Sequence, residues 1–192
     1  MKRRATVLGL AAALAFCLAL AAQAQELTVS AAAGGMFPSN RLYRGIYGRS
    51  LVLAGDVWLD LKGPLGLTAG FSALSDDGVA SGPDDLYEVK LTRRTVPVVA
   101  YGRFSAGPVT VRAGAGLAFH RVSETWRTVD LDFTGNRTAP RFLLSASVRL
   151  AGRLSLLACA TYDPLRVKKD LYSDSVDVGG LTAVAGLSLR IF

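Results

Sequence analysis

The chain has 192 residues, of which 51% are apolar, and carries a formal charge of +7; one domain with a large buried or lipid-facing surface fits that length without an internal break. The positive charge does not mark a nucleic-acid binder, because Lys and Arg are dispersed along the chain rather than clustered with aromatic residues. Only two cysteines, Cys17 and Cys159, are present, too few for a disulfide framework or a buried metal centre.

Residues 1–24 read as a signal peptide: Lys2, Arg3 and Arg4 precede an apolar run, and Ala22-Gln23-Ala24 is a small-x-small cleavage site before Gln25. Cys17, preceded by Phe16, does not suit a lipoprotein signal. Loss of the leader lowers the formal charge to +4 and leaves Cys159 alone in residues 25–192. An exported chain of that kind has no internal disulfide to hold it.

The rest is organised by a period of two, the mark of strands. The first strand alternates Leu27, Val29, Ala31, Ala33 and Gly35 with Thr28, Ser30, Ala32 and Gly34, and residues 36–49 read as a loop. A second strand sets Leu51, Leu53, Gly55, Val57, Leu59 and Leu61 against Val52, Ala54, Asp56, Trp58 and Asp60. A tight turn at Gly63-Pro64 leads to a third strand with Leu67, Ala69, Phe71 and Ala73 on its apolar side, and residues 75–85 read as a polar loop. Residues 86–94 are expected above the apolar zone and 95–104 within it, with a bulge or edge irregularity at Pro97.

After the turn at Gly107-Pro108, the fifth strand shows Val109, Val111, Ala113, Ala115, Leu117 and Phe119 on one face; Thr110, Arg112 and His120 lie on the other. Residues 121–140 read as a long polar segment. The sixth strand has Phe142, Leu144, Ala146, Val148 and Leu150 opposite Arg141, Ser145, Ser147 and Arg149, and the seventh shows Leu154, Leu156, Ala158, Ala160 and Tyr162. Residues 163–177 form the last expected loop. The final strand sets Leu181, Ala183, Ala185, Leu187, Leu189 and Ile191 against Thr182, Val184, Gly186, Ser188 and Arg190, and the sequence closes on Phe192.

Eight strands joined by alternately long and short connections, each with one apolar face and one face of small or polar residues, predict an all-β, eight-stranded antiparallel up-and-down transmembrane β-barrel. Short turns and both termini are expected on the periplasmic side. A lipocalin-type soluble barrel would turn its apolar face inward and its polar face to water, whereas here the second face is mostly Gly, Ala, Ser and Thr, suited to a crowded lumen. Asp56, Asp60, Arg112, Arg149 and Arg190 all fall on that inner face. They are expected to form a salt-bridged plug near the periplasmic end, since burying any of them unpaired is costly.

Leader, eight alternating strands and terminal Phe192 together resemble the small outer-membrane β-barrel superfamily: the OmpA-like transmembrane domain, the opacity-type and the OmpX-type proteins. That resemblance implies an integral outer-membrane protein with a structural or surface-interaction role, no cofactor, and insertion by the barrel-assembly machinery reading Phe192. The lipid-face parity, however, falls on Ile191. Outer-membrane lipid, lipopolysaccharide and an extracellular ligand held by the loops are the expected partners, with Arg121, Arg127, Arg137, Lys168 and Lys169 either available for lipopolysaccharide phosphates or simply solvated loop charges.

A small pore and a lipid-modifying enzyme are the rival functions. The enzyme would need His120, the sole histidine, acting on Ser123; three residues apart in a strand, the two point to opposite faces. Asp76, Asp77, Asp84 and Asp85 read as an acidic solvated loop ahead of a cation site. Tyr101, Phe104, Phe119, Phe142 and Tyr162 are candidates for interfacial girdles, with simple packing the alternative.

Overall fold

The computed structural model describes residues 24–48, 50–81, 86–169 and 172–192; residues 1–23 of the expected signal peptide, Asp84 and Asp85 lie outside them. Strands β1 (Ala24–Pro38), β2 (Ser50–Leu61), β3 (Leu65–Ser81), β4 (Leu86–Ala106), β5 (Val109–Trp126), β6 (Leu131–Ala151), β7 (Leu154–Asp163) and β10 (Gly180–Arg190) close into one antiparallel barrel. Each strand pairs with its chain neighbour, and β10 closes on β1 from Thr28↔Arg190 to Pro38↔Gly180. Between β7 and β10 a separate hairpin is made by β8 (Arg166–Lys169) and β9 (Tyr172–Asp177).

The two-residue period separates the faces as the sequence predicts. Leu51, Leu53, Leu117, Phe142, Leu144, Leu156, Leu181, Leu187 and Leu189 are exposed around the outside, while Thr28, Trp58, Asp60, Arg112, Ser145, Leu157 and Ser188 are buried within. So much apolar surface turned outward cannot be stable in water and calls for a hydrocarbon solvent. Closure removes the sheet edges that lipid could not satisfy.

Several expected loops are ordered elements instead. β1 runs on to Pro38, and a short helix α1 (Arg41–Tyr47) follows. Asn40 starts it, accepting from the Leu42 amide at 2.8 Å through its side-chain oxygen, and Gly48 at φ +65° ends it. The 75–85 segment is strand as far as Ser81. Residues 121–140 are the ends of β5 and β6, joined through residues 127–130, with Asp130 at φ +50°. Pro97 causes no bulge: the β3–β4 register is the same at Ala69↔Val98 and Ser72↔Thr95, with only the positions between them unpaired. A proline can sit there because no partner strand needs its missing N–H.

The strands are unequal. β1, β2, β7 and β10 all stop near one level, whereas β3, β4, β5 and β6 remain paired beyond it, through Ser81↔Leu86, Val89↔Trp126 and Trp126↔Leu131. A four-stranded sheet therefore projects from the end of the barrel away from the termini, rising roughly 20 Å at the spacing of extended residues. α1 packs against this wall, burying Tyr43 and Tyr47 with Met36, Leu74, Val89, Leu91 and Val122.

Candidate functional site

Chemistry-bearing side chains gather in the lumen at two levels. At the terminal end, Asp60 of β2 is fully buried and receives three donors: Arg103 Nη1 at 3.0 Å, Arg112 Nη2 at 3.1 Å and the Tyr101 hydroxyl at 2.6 Å. Arg112 comes from β5, across the barrel. Its guanidinium lies 5.3 Å from the Trp58 ring centre and 5.8 Å from that of Tyr101, and also donates to Ser147 Oγ at 3.3 Å. Trp58 and Tyr101 meet edge-on at 5.5 Å, and Trp58 Nε1 donates to Ser30 Oγ at 3.0 Å. Gly66 makes room for this arrangement, since a Cβ there would collide with the Tyr101 ring. Glu26 lies nearer the mouth, 3.6 Å from Arg190 and 4.0 Å from Arg103.

The structure thus brings Asp60 and Arg112 together, while Arg190 joins Glu26 and not an aspartate. Asp56 is a correction: it makes no ion pair among the described residues, because its side chain points over Gly70 into a cavity of about 30 Å³ shared with Arg141, whose guanidinium is taken by Asp163. Arg149 is a second correction. It is exposed and belongs to a polar recess of about 40 Å³ at the mouth, where water can solvate it in place of a carboxylate.

Sequence reading missed Glu26, Arg103 and Tyr101 as members of the network. Tyr101, a girdle candidate by sequence, is 3% exposed and points inward, so it packs within the lumen instead. The girdle keeps Phe104, Phe119, Phe142 and Tyr162, all exposed on the outer face, with Phe37 and Phe71 added.

At the distal level, Arg141 grips Asp163 with two hydrogen bonds, Nε to Oδ1 at 2.7 Å and Nη2 to Oδ2 at 2.6 Å. Arg93 donates to the Val178 carbonyl at 3.3 Å, and His120 Nδ1 lies 2.9 Å from Thr95 Oγ1. α1 covers this layer. Tyr43 is buried there, and removal from water drives its hydroxyl pKa well above the ordinary tyrosine value. It is therefore a neutral packing residue.

No protein-family model matches the chain, and no curated protein sequence does. Solved structures are similar to it. OprG, an outer-membrane protein of Pseudomonas aeruginosa, superposes with a TM-score of 0.67 at 12% identity, over 88% of this chain and 97% of that one. The fold is that of the small outer-membrane β-barrels. Neisserial surface protein A gives a TM-score of 0.58 at 15% identity, over 85% of this chain and 95% of that one. Ail of Yersinia pestis, solved with the heparin analogue sucrose octasulfate, gives 0.54 at 11%, over 86% and 97%.

The remaining candidates find their places on this outer-membrane-type barrel. His120 points into the lumen, whereas Ser123 lies on the outer side of β5 and its hydroxyl sits 3.1 Å from that of Thr134, so the two do not meet. Asp77 pairs with Arg127 at 2.9 Å. Among the described residues no group of three potential ligands is placed to hold a metal. Arg121 lies on the outer face, Arg137 donates to the neighbouring Asn136 carbonyl, and Lys168 and Lys169 lie in β8. The chain end is bulged: Ile191 N–H donates to the Leu27 carbonyl, whereas Leu27 N–H reaches the carbonyl of Phe192. Two residues thus oppose one, and both Ile191 and Phe192 are exposed.

Proposed function

We propose that this protein is an integral outer-membrane barrel with periplasmic termini, a closed lumen, and a structural or surface-interaction role carried by its distal sheet and helix. The observation that carries this reading is the layer of Trp58, Val99, Tyr101, Leu143 and Leu157, each less than a tenth exposed, which fills the barrel between the two small cavities. An eight-stranded barrel is wide enough for its own side chains and little more. With Asp60 tied to two arginines below that layer and α1 packed above it, the lumen offers neither a wet path nor an open catalytic cleft. Work is left to the distal surface, and insertion through the barrel-assembly machinery, with Phe192 as its signal, belongs to the same proposal.

Planar-bilayer recording tests the reading. The wild-type protein is expected to give no conductance steps, and Trp58→Ala/Tyr101→Ala, which empties the central layer, is expected to open them. Steady unitary conductance from the wild type would make the protein a pore and end the proposal.

A further inference from the structure

The outer face of the projecting sheet is laid out in rows that the strand register fixes. The last apolar row sets Phe71, Val96 and Phe119 side by side across β3, β4 and β5, all about half exposed. One row farther from the termini, Arg94 and Arg121 stand directly opposite each other, with Asn136 next to Arg121. The row after that is all hydroxyls: Ser75, Thr92, Ser123 and Thr134.

Two like charges directly opposite on adjacent strands repel and destabilise the pairing, and neither arginine has an ion-pair partner among the described residues. On the same face the nearest carboxylate on β3 is Asp77, two rows farther out and held by Arg127 at 2.9 Å. Arg94 and Arg121 line both of two adjoining depressions, of about 380 and 290 Å³. Elsewhere around the barrel the corresponding level carries Phe37, Leu181 and Tyr162, which are apolar or aromatic.

From this juxtaposition we infer that Arg94 and Arg121, supported by Asn136 and the hydroxyl row, form a docking site for the phosphate of an outer-leaflet lipid. The arginines stand where hydrocarbon gives way to headgroups, and they face outward toward the bilayer rather than upward into solution. A guanidinium offers planar paired donors that fit phosphate oxygens, hydroxyls complete the ligation, and the bound anion removes the repulsion between the two charges. The apolar row of Phe71, Val96 and Phe119 below would lie along the acyl chains of the same lipid. The inference rests on the distal end facing the outer leaflet in the cell. Its test uses vesicles, where retention does not depend on cellular orientation, so the two readings fail separately.

The mature chain would be refolded into phosphatidylcholine vesicles containing a minor fraction of diphosphoryl lipid A, and lipid retained per barrel read by native mass spectrometry after extraction. Wild type is expected to retain diphosphoryl lipid A and not its dephosphorylated form. R94Q/R121Q should retain at least about tenfold less, the loss of even one charge-assisted hydrogen bond being of that size. K90Q/R127Q removes the same charge higher on the sheet and should retain lipid as wild type does. If R94Q/R121Q does not refold, R94Q and R121Q singly are each expected to show reduced retention. Unchanged retention in the arginine variants, an equal loss in K90Q/R127Q, or release of the lipid by millimolar inorganic phosphate would overturn the inference, the last by making this a free-anion site.

Discussion

Replacing Asp60 by Asn tests the terminal cluster most directly. The carboxylate is fully buried, Arg112 beside it is nearly so, and Arg103 is about one-fifth exposed. At 3.0 and 3.1 Å, each arginine gains roughly 5 kcal/mol of gross Coulomb energy at an effective dielectric of about 20. Most of that gain offsets the desolvation of the charges. The loss falls on what remains, because Asp60→Asn keeps the shape and leaves Arg112 buried without its anion, and removing one partner of a buried pair costs about 3–5 kcal/mol. Arg103 contributes less, since water reaches it and Glu26 is within 4.0 Å.

The assay is reversible denaturant unfolding of the refolded barrel in lipid, followed by tryptophan fluorescence, for Asp60→Asn, Arg112→Met and the double variant. We expect Asp60→Asn to cost about 3–5 kcal/mol and the double variant to cost less than the sum of the singles. Asp56→Asn is the internal reference, because it breaks no ion pair among the described residues and is expected to cost less than about 1 kcal/mol. A cost below about 1 kcal/mol for Asp60→Asn, or strict additivity with Arg112→Met, would refute the reasoning.

Leu187→Arg places a charge on the outer face in mid-strand and is expected to cost about 2–4 kcal/mol in the same assay. Val79→Arg, equally exposed but on the projecting sheet, should cost less than about 0.5 kcal/mol; equal costs would mean that the apolar belt is misplaced. Gly66→Ala should displace Tyr101 from Asp60, seen as a loss of stability that Gly66→Ala/Tyr101→Ala partly recovers. Tyr43→Ala empties the packing under α1 and should cost about 3 kcal/mol while speeding proteolysis at residues 41–47; unchanged protease resistance would count against α1 as a cap. The mature chain is expected to fractionate with outer membrane and to show heat-modifiable gel migration, so recovery as a soluble periplasmic species would contradict the membrane reading.

How far the sequence disclosed these features depends on whether a strand kept its alternation. β2, β5, β6 and β10 did, so Asp60 and Arg112 are legible as inward residues from parity alone. β4 did not: Arg93 and Arg94 stand side by side, one inward and one outward, and Pro97 interrupts the pattern, so its parity does not carry through to Arg103, and Tyr101 reads as an outer girdle residue although it faces the lumen. α1 has seven residues, too few for a helical period to register, although Asn40, the Tyr43/Tyr47 spacing and Gly48 are a cap, a one-sided face and a stop. Asp163 continues the inner parity of Cys159 and Thr161, yet Pro164 after it reads as the start of a loop and hid its pairing with Arg141.

The unequal strand lengths also leave backbone unpaired. Beyond Val52↔Leu74 the distal part of β3 has no partner on its β2 side, and ahead of Phe142↔Tyr162 the start of β6 has none on its β7 side, among the described residues. These are edge strands, and an exposed edge is a template for another molecule's strand. The two are not bare. Asp77, ion-paired with Arg127, lies on the first, and Asp132, Arg137 and Pro140 on the second, so a second copy approaching edge to edge would have to desolvate a salt bridge on β3 and meets a residue without an N–H on β6. At the crowded density of a membrane surface, that guards against neighbouring barrels fusing their walls into one continuous sheet.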